Sequence, residues 1–512
     1  MGKAWTAKER VVVVGAGPGG LAAAMLLAAQ GRRVVVCEAE DQVGGRTARM
    51  TLGGYSFDRG PTFFLMPYVL EEIFAATGRR LSDYVELTRL DPMYRLIMGR
   101  RELGDPVVLD ATQDIKEMSR RIGKIEPGDG AAFERFIADN RTKLRLMEPV
   151  LRSPMRWAGD VMNLDGIKFL PHLHPTRSVA GLLKGYFKSP YVRLGVSFQS
   201  KYLGMSPMDC PSLFTILPFI EYEYGVWHPT GGCNAITSAM AAVCEEMGVE
   251  IRLGAAVGGI EFDGPRVTGV RLGGGEVLSC EDVVVNADAG AALKALVPAA
   301  LRARAGWSDA AIDGKRYSCS TFMLYLGVRG KCDHLPHHSI YISSKYEQNL
   351  EDITDRGLLS VDPSVYVCNA SRTDATLAPD GCSSLYVLMP TPNLKTGMTW
   401  DAEDRAVARR LVMEQLRTKF GMPDIASRIE VEREVTPREW AGMGINFGAT
   451  FNMAHNLGQM LHKRVPHRFP GAEGLWFVGG ATHPGSGLPV IFLSAQILAG
   501  MMLAERGSSV GA

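Results

Sequence analysis

Val11-Val12-Val13-Val14-Gly15-Ala16-Gly17-Pro18-Gly19-Gly20 is the stretch whose reading decides the fold. Four successive valines suit a strand buried on both faces. The glycines then allow a tight turn before an alanine-rich helical segment. Gly15 permits the turn, Gly17 lets backbone approach a pyrophosphate, and Gly20 lets the helix pack close to the strand. Pro18 and Gly19 belong to the same turn, where free N–H groups and a partial positive charge favour phosphate. Val34 to Val36 form a second strand ending at Glu38. A carboxylate there accepts hydrogen bonds from ribose hydroxyls and disfavours a 2′-phosphate. Strand, turn, helix, strand and acid in register predict an α/β, Rossmann-like dinucleotide-binding unit.

Val11 through Ala29 is also an apolar run long enough to cross a bilayer. The glycine cluster interrupts any continuous helix and the valines favour strand, so a buried βα unit is expected instead. The whole chain, 512 residues, is too long for one compact core and predicts two or three lobes. Its 56 basic and 55 acidic residues give no basic surface, so no nucleic-acid partner is expected. Nine cysteines, odd in number and without a C-x-x-C pair, point to a reducing, cytoplasmic compartment. Neither a disulfide scaffold nor a metal site is expected. The ten histidines show no ligand spacing, and His337-His338 reads as a solvated loop.

Asp41-Gln42-Val43-Gly44-Gly45-Arg46-Thr47 follows the ribose-binding strand, with two more glycines for close backbone approach and an arginine for phosphate or flavin oxygens. Phe57-Asp58-Arg59-Gly60-Pro61-Thr62 then reads as a strand ending in a turn. Here the chain resembles the flavoprotein superfamily of amine oxidases and carotenoid desaturases. The resemblance implies FAD, with Glu38 to Arg46 lying along it and Pro61 and Thr62 among its binding residues. It also implies that Val257 offers its backbone to the adenine.

Near the other end, Leu475 to Val478 read as a strand, and Gly479-Gly480 bring its end close to something bulky. Thr482-His483-Pro484-Gly485-Ser486-Gly487-Leu488-Pro489 shapes a turn, and Ile491 to Leu503 reads as a helix pointing back at it. Backbone N–H groups so placed suit a flavin edge that gains negative charge on reduction. This turn resembles the signature of bacterial-type phytoene and diapophytoene desaturases. Gly204-Met205-Ser206-Pro207, Tyr224 to Gly232, Asp362-Pro363-Ser364 and Ala378-Pro379-Asp380-Gly381 follow the same family's order and spacing. The resemblance implies FAD-binding residues at Gly479, Gly480, Gly487, Leu488 and Pro489. It also implies a glutathione-reductase-like FAD domain (segments 1–105, 223–300 and 426–512) interleaved with an α+β substrate lobe (106–222 and 301–425).

The activity implied is desaturation of a long polyisoprenoid by hydride transfer to FAD in carotenoid biosynthesis. His483 is the candidate proton acceptor, its other role being to orient the turn or bond the flavin. Leu213 to Ile220 and Phe322 to Tyr325 are candidate tunnel linings. Relatives acting on phytoene commonly carry Ala and Ile-Pro-Gly where this chain has Ser486 and Leu488-Pro489-Val490-Ile491-Phe492. That departure opens the C30 substrates, diapophytoene or a squalene type, and a carotenoid oxidase, saturase or isomerase as alternatives. An amine-oxidase-like enzyme is a further alternative. A lipophilic polyene substrate, with a quinone or O2 as electron acceptor, points to monotopic attachment at the inner face of the cell membrane. Basic stretches with interleaved apolar residues, Arg141 to Trp157 and Arg177 to Arg193, are the candidate contact surfaces.

Overall fold

Five parallel strands carry the glycine turn in the computed structural model, which describes residues 10–100, 104–162 and 176–509. Their spatial order is Leu475–Phe477, Asp282–Val285, Arg10–Val14, Arg33–Cys37 and Glu250–Arg252. The two ends of the chain and its middle thus share one sheet. Val11, Val12 and Val13 are fully buried, and each such side chain contributes about 1.5–3 kcal/mol of burial free energy. The helix Pro18–Ala29 buries every residue from Gly19 to Leu27. Its alanines let two other helices, Cys233–Glu246 and Leu488–Ser509, lie against it.

The apolar run from Val11 to Ala29 is therefore a strand and a helix inside this layer. Among the described residues, the window Leu488–Glu505 alone is long and apolar enough to cross a membrane, with a mean hydropathy of 1.7. Half of that window is buried, and it packs on Pro18–Ala29 and Pro67–Ala76.

A second sheet has seven strands in the order Ile429–Val435, Ser320–Arg329, Cys382–Thr391, Val365–Asn369, His338–Ile342, Tyr94–Met98 and Val107–Ala111. All its pairs are antiparallel except His338–Ile342 with Tyr94–Met98. Two of these strands lie across the boundaries expected from sequence. Tyr94–Met98 falls within the segment 1–105, and Ile429–Val435 within 426–512, yet both join the large sheet. Alternation identifies a strand but not its partner, and the parallel neighbour of Tyr94–Met98 lies more than two hundred residues away. Val257–Asp263, Arg266–Leu272 and Val277–Ser279 form a small meander that leads into Asp282–Val285.

Three expectations are corrected by burial. Phe322 and Leu324 face Trp400, Val412 and Leu416, so they are core under the helix Ala402–Thr418. Met323 and Tyr325 point to the other face, against Tyr55, Phe57 and Trp440. His337 and His338 are buried at the start of a central strand and form no solvated loop. Lys143 is not a surface cation: it is 5% exposed and its Nζ donates to Thr215 Oγ1 at 2.8 Å. Burial pulls that ammonium down to about 8. In the second basic stretch, Leu182, Leu183 and Phe187 turn inward. Arg141, Arg145, Glu148, Arg156 and the 64%-exposed Trp157 are what the first stretch presents outward.

Candidate active site

The glycines sort into those the fold demands and those that leave room beside them. A Cβ on Gly20 would lie 2.1 Å from the carbonyl oxygen of Gly15, and one on Gly15 would lie 2.5 Å from that of Asn286. Gly17 and Gly45 differ. Around Gly17 only Asn286 Nδ2 and Gly44 O come within 4 Å, and around Gly45 only the Cα of Gly17 does. Gly44 has φ +115° and its N–H donates to Ala16 O at 2.9 Å, which seats the second glycine pair over the first.

Both ends of the chain meet here. A Cβ on Gly19 would stand 3.4 Å from Gly479 Cα and 3.0 Å from Ile491. Asn286 sits between them: its Nδ2 donates to Gly15 O at 3.2 Å and its Oδ1 faces Gly19 and Gly479. Glu38 is 7% exposed and accepts from Ala16 N at 2.6 Å and Glu40 N at 3.0 Å. Its carbonyl accepts from Ala255 N at 2.7 Å, which brings the segment of Val257 alongside. Arg46 donates Nη1 to Thr450 O at 2.7 Å, and desolvation lowers its guanidinium below the usual range. Thr62 Oγ1 shares a 2.6 Å hydrogen bond with Tyr366 OH, one residue beyond Pro61.

The C-terminal turn is held from behind. Gly479 N, Thr482 Oγ1 and His467 Nε2 all converge on Ser494 Oγ at 3.1, 2.8 and 3.2 Å. Arg464, 3% exposed, donates to Gly480 O at 2.6 Å and Thr482 O at 2.9 Å. Burial brings it down to about 10. Gly487 has φ +118°, and Leu488 and Pro489 are the first two residues of the long C-terminal helix, where proline costs no hydrogen bond. Ser486 N donates to His455 Nε2 at 3.2 Å.

His483 lies behind the turn too. It is 3% exposed, and its Nε2 must be the protonated nitrogen, because it donates to Val150 O at 2.9 Å. Desolvation lowers the ring to about 4, so it stays neutral. Sequence reasoning did not single out Asn286, Arg464, His455 or Glu221. Asn286 carries a visible signal, since it ends a valine strand that pairs with the first. Arg464 sits in an irregular stretch with no periodicity to read. Glu221 is fully buried and accepts from Tyr202 OH at 2.6 Å, Tyr94 OH at 2.9 Å and Gln199 Nε2 at 2.9 Å; desolvation raises it to about 7.

Thr450 Oγ1, Asn452 Nδ2 and Ser486 Oγ are buried around this turn with no protein partner. Unpaired polar atoms beside a double glycine cradle fit a large polar-edged cofactor. The model of the family described as flavin containing amine oxidoreductase matches residues 18–500. The chain belongs to this family. Its cofactor is FAD. The sequence is 40% identical over 493 residues to a 4,4′-diapophytoene desaturase (4,4′-diapolycopene-forming) of Methylomonas sp, covering 96% of this chain and 94% of that one. It is 38% identical over 508 residues to an all-trans-zeta-carotene desaturase of Myxococcus xanthus, covering 98% and 94%. A solved oxidoreductase from Methanosarcina mazei shares the fold, with a TM-score of 0.63, 16% identity, and coverage of 97% and 100%.

Proposed function

We propose that this protein is an FAD-dependent desaturase of a linear polyisoprenoid, with 4,4′-diapophytoene as the favoured substrate. One observation carries the proposal: a chain with both glycine turns assembled at one place matches a diapophytoene desaturase along 96% of its length. The departures at Ser486 and Leu488 to Phe492 leave the shorter substrate open alongside phytoene.

FAD, when bound, supplies the hydride acceptor. Gly15, Gly17, Pro18, Gly19, Gly20, Gly44 and Gly45 would hold its pyrophosphate, Glu38 its ribose, and Val257 its adenine. Arg46, Pro61, Thr62, Gly479, Gly480, Gly487, Leu488 and Pro489 would flank the flavin. Arg464 donates to the carbonyls of Gly480 and Thr482 and would leave a buried positive charge near a flavin bound at this turn. His483 acts as a positioning residue: a neutral imidazole that ties the turn to the helix Pro127–Leu151 through Val150 O. Phe63 packs among Tyr94, Tyr202 and Tyr366, next in sequence to Thr62, and Phe214 stands edge-on to His455, so both are candidate apolar walls for the substrate. Such walls exclude water and orient a hydrocarbon, which has no polar group to grip. An amine substrate is disfavoured, since the buried carboxylate Glu221 and the half-buried Asp58 already accept three and two hydrogen bonds.

The substrate is delivered from a membrane surface through Arg145, Arg156 and Trp157, and a quinone or O2 reoxidises the flavin. The test is to offer the FAD-loaded enzyme diapophytoene, phytoene or squalene in liposomes and record the polyene spectrum. Red-shifted bands with diapophytoene first are expected. Colourless products from all three, with FAD bound, overturn the assignment.

A further inference from the structure

His338 and Cys368 occupy directly opposed positions on the antiparallel strands His338–Ile342 and Val365–Asn369. Opposed residues of a pair project to the same face of the sheet, and His337 joins them from the residue before the strand. One nitrogen of each ring and the Cys368 sulfur lie within 4.8 Å of one another. All three residues are buried, at 4%, 0% and 1% exposure.

The hydrogen bonding around the rings is asymmetric. His338 Nδ1 is bonded to Tyr366 OH at 2.7 Å, and His337 Nδ1 to Thr373 Oγ1 at 2.8 Å. The Nε2 atoms of both rings are buried and have no protein partner. Buried polar atoms are ordinarily satisfied, so an orphaned nitrogen on each of two buried imidazoles in the same cluster as a thiol requires an explanation. A hydrogen bond on one ring nitrogen fixes the ring's orientation and leaves the other nitrogen to ligate an ion.

We propose that His337, His338 and Cys368 form a binding site for a single borderline-soft divalent ion of the zinc class. Two neutral imidazoles and a thiolate are the donors such an ion prefers, at about 2.0–2.1 Å for nitrogen and 2.3 Å for sulfur. Donor atoms within 4.8 Å of one another reach those distances by shifts of about an ångström or less each. Binding forms one metal–sulfur bond and releases the thiol proton to solvent. The ring of His338 stacks on Phe63 at 4.0 Å, and Tyr366 joins His338 to Thr62. An ion here ties two central strands of the large sheet to the segment that follows Pro61.

The test uses the FAD-loaded protein, stripped with a chelator and titrated with Co2+. One equivalent is expected to bind, giving tetrahedral d–d bands on the long-wavelength side of the flavin absorption. Cys368→Ser is expected to shift those bands and weaken binding at least tenfold. Tyr366→Phe, which keeps all three donors, is expected to weaken it about 10–100-fold. Binding well below one equivalent, or bands unmoved in Cys368→Ser, overturns the site. If Cys368→Ser loses its flavin through misfolding, Tyr366→Phe decides: unchanged cobalt affinity overturns the site. None of these readouts depends on the polyene activity.

Discussion

Single residues separate cofactor binding from folding in this chain. Gly20→Val places a side chain on the Gly15 carbonyl, 2.1 Å from where its Cβ must stand, so an insoluble or unfolded product is expected. Gly17→Val meets far less protein and is expected to fold yet purify colourless, with flavin absorbance per mole of protein as the readout. Equal flavin content in wild type and Gly17→Val would contradict the assigned cradle. Glu221 gives a second test at this scale. Its carboxyl stands at about 7 in the folded protein against 4.5 as the ordinary value. The folded state therefore holds the extra proton between those values, and the group's stability contribution, full below 4.5, is lost as pH rises through 7. The difference is on the order of 3 kcal/mol. Wild type is expected to lose stability relative to Glu221→Gln between about pH 4.5 and pH 7 in urea titrations, with little change above. Parallel pH profiles for the two proteins would refute the shift.

At the scale of elements, the C-terminal turn is built by groups far from it in kind. Arg464 serves the carbonyls of Gly480 and Thr482 at once. Arg464→Met removes a buried cation, which offsets part of the loss, but strands carbonyls worth about 1–3 kcal/mol each. A lower urea midpoint and weaker FAD retention are expected, and Lys is not expected to rescue because an ammonium lacks the planar fork. Unchanged FAD retention in both variants would contradict this role. The glycine motifs on either side were legible because backbone approach and positive φ leave a residue type behind. Gly44 at φ +115° and Gly487 at +118° are cases in point. Arg464 and Ser494 were not legible, since a buried arginine or serine has no local pattern that marks its partner. The His337-His338 pair misled for a related reason: two polar residues in sequence suggest solvent, and only the strand across the sheet reveals their burial.

At the scale of the molecule, a parallel five-stranded sheet takes strands from residue 10 to residue 477 and interleaves with a seven-stranded sheet. The interleaving was legible from the recurrence of nucleotide-type segments. The partners of Tyr94–Met98 and Ile429–Val435 were not, because sheet order is a long-range property. Membrane delivery also belongs to this scale. Trp157, 64% exposed beside Arg156, is expected to shift its fluorescence to the blue on anionic vesicles. Trp157→Ala with Arg156→Ala is expected to reduce co-sedimentation, and added salt to weaken it further. Sedimentation unaffected by either change would contradict the assigned surface. The central claim is that carbon–carbon desaturation and flavin reduction are one event. The most direct measurement is an anaerobic single turnover of the FAD-loaded enzyme with diapophytoene, following flavin bleaching and polyene absorption together. The account expects one double bond formed for each flavin bleached, at the same rate. New polyene bands with the flavin still oxidised, or bleaching with no new double bond, would contradict it.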